Sequence, residues 1–168
     1  MLRRRFLLLP LLAAAPSVLA QQSPEAPTQP RGREILRVTG RIAAPDGARF
    51  DLAALEALGR ADLVTRTVWT GTTPQSFAGV RLETLLAHVG AQGGTLRLVA
   101  LNDYAVTAPL AELVQQGAFL ATRQDDQPLR IRDRGPVWMI FPWSQRPELD
   151  VPTVRERAIW QLRTITIS

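Results

Sequence analysis

Few side chains in this sequence could do covalent or redox chemistry. The 168 residues contain no cysteine, one histidine (His88) and one tyrosine (Tyr104), and all 20 basic residues are arginine. Without cysteine there is no disulfide, thiolate nucleophile, iron–sulfur cluster or cysteine-held metal. Without lysine there is no Schiff base and no phosphate-loop lysine. A single histidine rules out a His-rich zinc site, and a Ser-His-Asp triad would have to run through His88. His88 follows the apolar positions Leu82, Leu85 and Leu86 at helical spacing, so it reads as a half-buried or surface residue. Arginine is the reactive-looking type that remains. Its planar fork suits phosphate, sulfate or carboxylate.

The chain divides into an address, a leader and a domain. Residues 1–20 read as a signal peptide: Arg3, Arg4 and Arg5 precede an apolar stretch, and Val18-Leu19-Ala20 offers small residues before a cleavage at Gln21. The run is short for a bilayer span, so no membrane span is expected after cleavage, and the location is periplasmic. Arg3-Arg4-Arg5-Phe6-Leu7 also fits the twin-arginine pattern, beside an ordinary secretory reading. Residues 21–32, rich in Gln, Pro and Ser, form a flexible leader. Residues 33–168 form one domain. From Gln21 onward there are 17 basic and 15 acidic residues, a net +2, with no basic run interleaved with aromatics. Nucleic acid is therefore not an expected partner.

The elements that must position any site are short. Strands are expected over 34–42, 62–69, 96–100, 104–107, 118–122, 137–141 and 159–167. Short helices follow Asp51, which can cap, and Leu82. Pro109 suits the first position of a third helix. Turns fall at Pro45-Asp46-Gly47, Asn102-Asp103 and Gln124-Asp125-Asp126-Gln127, and Gly71-Thr72-Thr73-Pro74 reads as a break. Arg130-Ile131-Arg132-Asp133-Arg134 reads as a hairpin with alternating solvated charges. Gly79 and Gly135 mark sharp turns or close backbone approach. Strands outnumber helices and hairpins mix with single helices, so the fold class is α+β.

Three segments then resemble a known family. They are Trp69-Thr70 with Phe77-Ala78-Gly79-Val80-Arg81-Leu82-Glu83-Thr84-Leu85-Leu86; Asn102-Asp103-Tyr104-Ala105-Val106 with Pro109; and Arg134-Gly135-Pro136-Val137-Trp138-Met139-Ile140-Phe141-Pro142, Pro147-Glu148-Leu149 and Ile159-Trp160-Gln161-Leu162-Arg163-Thr164-Ile165. Together they resemble the sulfite-oxidase-type molybdopterin-binding domain, in particular its small secreted single-domain members. The resemblance implies a sulfite-oxidase-like fold of mixed sheets with short helices, and molybdopterin as the cofactor to consider.

In catalytic members of that superfamily a cysteine thiolate ligates molybdenum. The resemblance puts that position near Val64 to Trp69, where this chain has no thiol. A threonine hydroxyl is hard and weakly acidic and does not replace a soft thiolate, so molybdenum ligation by the protein is not expected. The cofactor-binding residues implied are Arg66, Thr67, Arg123, Arg132, Arg134 and Tyr104, with Arg81 and Arg130 as further anion contacts. Catalytic residues are not assigned, and no metal ligand is expected. The partner is then a small anionic ligand or pterin bound without redox turnover. Two alternatives are an oxidoreductase whose cofactor is held without a protein thiolate, and a sensor that binds an envelope protein.

Overall fold

Asp51 shows how local chemistry sets the elements. In the computed structural model, which describes residues 32–168, its backbone is extended and its Oδ1 accepts the Ala54 N–H at 2.7 Å. That satisfies a donor that a helix start would otherwise leave orphaned, and the helix Leu52–Ala57 (α1) follows. The other carboxylate oxygen takes the Gly32 N–H at 2.7 Å, which ties the last residue of the expected leader to the domain. The expected signal peptide and the rest of the leader lie outside the described residues.

Among the described residues ten strands form two sheets. The first sheet uses β1 (Leu36–Gly40), β2 (Ala48–Phe50), β5 (Thr95–Ala100), β6 (Ala105–Pro109) and β10 (Leu162–Ile167), in the order β2-β1-β10-β5-β6. It is mixed: β1 runs parallel to β10, with Val38 opposite Ile165, and the other pairs are antiparallel. The second sheet is antiparallel, in the order β3-β4-β7-β8, from β3 (Arg60–Thr67), β4 (Gly71–Arg81), β7 (Phe119–Gln124) and β8 (Gln127–Pro128). Strand β9 (Trp138–Ile140) also pairs with β7. Helices α2 (Leu82–His88), α3 (Leu110–Gln115) and α4 (Pro152–Arg157) are each under eight residues.

Both sheets bury one face into a single apolar cluster. Leu36, Val38 and Phe50 of the first sheet join Phe77, Val80 and Leu120 of the second. Strand β9 is buried on both faces, as its unbroken apolar run implied. Burial of each such side chain contributes roughly 1.5–3 kcal/mol against chain entropy. The two marked glycines are close-approach positions. A Cβ on Gly79 would meet the Leu120 carbonyl and lie 2.9 Å from the Ala121 Cα, and one on Gly135 would meet the Leu129 carbonyl. Asp125 and Asp126 both take positive φ, 49° and 60°, in the two-residue turn joining β7 to β8.

Five expectations need correction. Gly71-Thr72-Thr73-Pro74 does not break the chain; it opens the eleven-residue β4. Pro74 sits where the ladder shifts register, between the Gln75–Thr65 and Gly71–Thr67 pairs, a place that tolerates a residue lacking an N–H. Residues 130–134 form a 3₁₀ turn over Ile131–Asp133, closed by Arg134 at φ 73°, and not a hairpin. Pro109 ends β6 and stands at the cap of α3, one place before the first helical position. The last strand begins at Leu162, because Gln161 turns the chain at φ 52°. No helix is expected between the strands at 137–141 and 159–167, yet α4 forms there; it buries only Val154, too little to leave a periodic signal.

Candidate functional site

The tip of the β3–β4 hairpin organises the polar and aromatic groups around it. Thr67 is 2% exposed, and its Oγ1 accepts N–H bonds from Trp69 at 3.2 Å and Thr70 at 3.1 Å. The same oxygen lies 3.0 Å from the Thr70 hydroxyl. Thr65 is fully buried; its Oγ1 donates to the Arg66 carbonyl at 3.2 Å and accepts the Ser144 N–H at 3.1 Å. Both hydroxyls are thus committed to shaping the hairpin, with Arg66 N–H donating back to Ser144 Oγ at 2.8 Å.

The hairpin tip carries Trp69 into contact with the chain's three other tryptophans. Ring centroids lie 5.9 Å away for Trp138, 6.3 Å for Trp143 and 5.4 Å for Trp160, all edge-to-face. Trp143 is anchored by its indole N–H, which donates to the Leu149 carbonyl at 3.1 Å. Arg134 is held among these rings. Its Cζ sits 5.2 Å from the Trp138 centroid and 5.0 Å from Trp160, and Nη2 donates to the Trp69 carbonyl at 3.3 Å. No carboxylate pairs with it among the described residues, so its charge is balanced by ring faces and a carbonyl. Among the described residues its Nε and the Trp138 Nε1 are buried donors without partners.

Three openings hold residues of interest, two of them bordered by the tryptophans. The first, of about 320 Å³, is bordered by Arg66, Thr67, Trp143 and Asp150. Asp150 accepts from Arg155 Nε at 2.7 Å; that bond, with the charges of Arg155 and Arg66, holds its carboxyl below the usual range despite partial burial. The second, of about 370 Å³, is walled by Trp69, Tyr104 and Trp160. The third, of about 840 Å³, brings together Arg33, Arg130, Arg132 and Arg163 over apolar walls that include Ile35 and Leu129.

A family model described as the oxidoreductase molybdopterin binding domain matches residues 51–145. The chain belongs to that family. Among solved structures this molybdopterin-binding domain is similar to the sulfane dehydrogenase SoxCD from Paracoccus pantotrophus, with TM-score 0.57 and 18% identity over 79% of this chain and 37% of that one. The domain thus spans little more than a third of that protein's length, and the likeness concerns the fold. No curated protein sequence matches the chain.

The donor set of this family member does not suit a protein-held molybdenum. Residues 64–69 offer only hydroxyl oxygens, and those of Thr65 and Thr67 are spent on the hairpin. Among the described residues no three His, Cys, Asp or Glu side chains group as a metal site. An anionic organic group is suited differently, because the arginine-lined pocket presents several guanidinium forks over apolar walls.

The six residues put forward from the sequence are not gathered into one cleft. Arg66 and Thr67 share the smallest opening, Tyr104 lines the second and Arg132 the third. Arg134 stands between tryptophans. Arg123 is engaged elsewhere: its Nε donates to Glu56 Oε1 at 2.8 Å and its Nη2 to Oε2 at 3.2 Å, tying β7 to α1. Sequence reasoning missed Arg33, placed at the leader's edge, and Arg163, whose position in the last motif was its only signal.

The Glu56–Arg123 pair carries a pH prediction. Burial pushes the Glu56 carboxyl up, but hydrogen bonds from Arg123 and Thr122 and the charges of Arg123 and Arg60 outweigh it, leaving it below its ordinary 4.5. A depressed folded-state value contributes stability that is present above the unfolded value and is lost as pH falls through the folded one. Urea midpoints of the wild type should therefore decline below pH 4.5, and Glu56→Gln should flatten that decline while lowering the midpoint at pH 7.

Proposed function

We propose that this domain binds a small organic anion, with a pterin phosphate as the leading candidate, and does so without thiolate-held molybdenum. The observation that carries the reading is the pocket of about 840 Å³ lined by Arg33, Arg130, Arg132 and Arg163. Arg130 pairs with Asp133 and Arg163 with Asp103, whereas Arg33 and Arg132 have no ion pair among the described residues. Glu34, the acidic group lining the pocket, is engaged by Arg37 and Arg49. The pocket is therefore cationic, with apolar walls suited to a ring. The export signal read over residues 1–20 would deliver the domain to the periplasm.

The test begins with protein recovered from the periplasmic fraction of its native host, whose molybdenum and pterin are measured per chain. Pterin with substoichiometric molybdenum is the expected result. Stoichiometric molybdenum with sulfite-dependent turnover would favour the oxidoreductase alternative and overturn this reading. In calorimetry, 6-hydroxymethylpterin phosphate should bind more tightly than inorganic phosphate. The double change Arg33→Ala, Arg132→Ala should weaken both by at least about tenfold, since charge-assisted hydrogen bonds to an anion are worth roughly 1.5–3 kcal/mol each.

A further inference from the structure

We propose a second site: the opening walled by Trp69, Tyr104 and Trp160 binds a compact organic cation, such as a quaternary ammonium group. It is separate from the arginine pocket. Gln161 stands between them, its side chain donating to the Ile131 carbonyl at 2.9 Å and its carbonyl accepting the Leu101 N–H at 3.0 Å.

Two large aromatic residues are left facing water at this one opening, Trp160 at 39% exposure and Tyr104 at 48%. Neither ring is loose. Trp160 stands edge-to-face with Trp69 at 85°, and the Tyr104 hydroxyl donates to the Glu156 carbonyl at 3.4 Å. Rings held in this way can wall a bound group at no further ordering cost.

One acidic side chain at the opening is free to meet a cation. Glu156 lines it and has no ion pair among the described residues. Arg155, the cation on the same wall, is committed to Asp150 at 2.7 Å. The Arg134 guanidinium rests on Trp138 and Trp160, and its charge opposes a second cation, so the attraction must come from Glu156 and the free ring surface. A cavity of about 370 Å³ has room for a trimethylammonium head with a short chain.

The experiment is a titration of the purified protein with choline and with its uncharged isostere 3,3-dimethylbutan-1-ol, read by tryptophan fluorescence. Choline should bind saturably and at least about fivefold more tightly than the isostere. Glu156→Gln should weaken choline about threefold or more while leaving inorganic phosphate binding unchanged, and Tyr104→Leu should weaken choline at least as much. Equal affinity for the isostere would reduce the opening to an apolar pocket and overturn the proposal. It would also be overturned by no saturable choline binding to protein with a folded circular-dichroism spectrum, or by unchanged choline binding in both variants. Phosphate binding in the same preparations reports separately on the arginine pocket, so one site can fail without the other.

Discussion

Gly79→Ala should lower the melting temperature by roughly 10 °C, about 3 kcal/mol, and heat denaturation of the purified domain would measure it. The cause is steric and lies in the backbone. Gly79 pairs with Ala61 on one side and Ala121 on the other, in the centre of the second sheet. A methyl group there would meet the Leu120 carbonyl, an atom held by the ladder that cannot swing aside as a side chain could. Gly79 has no positive φ, so the loss would come from contact and not from a left-handed backbone. Gly71→Ala is an informative contrast. It has open space for a Cβ but a φ of 86°, so only conformational strain should act, about 1 kcal/mol.

Trp138→Ala should cost about 4 kcal/mol in urea unfolding, within the range for deleting a buried aromatic. Trp138 is fully buried and touches Trp69, Phe77 and the Arg134 guanidinium. Its removal opens a cavity and strips one ring face from a cation that has no carboxylate partner among the described residues. Trp138→Phe should cost under about 2 kcal/mol, because it keeps much of the packing and removes an indole N–H that has no partner among the described residues. If the alanine and phenylalanine variants were equally stable, the ring would not be supporting the cluster.

What could be read from the sequence was local. The Asp51 cap and the Asp125-Asp126 turn each depend on neighbours within a few residues, and both are present as expected. The family resemblance rested on glycines and tryptophans whose positions are fixed by close packing. The pairing of arginines was not legible, because guanidinium partners are chosen in space: Arg123 meets Glu56 across 67 residues. The arginine pocket is likewise assembled from segments before β1, after β5, along the 3₁₀ turn and in β10. No stretch of sequence contains it, and Arg33 and Arg163 could be recognised as its members only once the chain had folded.

The parallel pairing of β1 with β10 bears on when the domain can fold. Residues 162–167 insert between β1 and β5, so the first sheet is split until they arrive. A nascent chain lacking them would expose the unpaired edges of β1 and β5 along with Leu36, Val38, Leu96 and Leu98, which the finished domain buries. The second sheet needs nothing beyond β9 and can assemble earlier. Synthesis order therefore imposes a late, cooperative closing step, and the unfinished chain would depend on chaperones or on prompt completion of translation to escape aggregation.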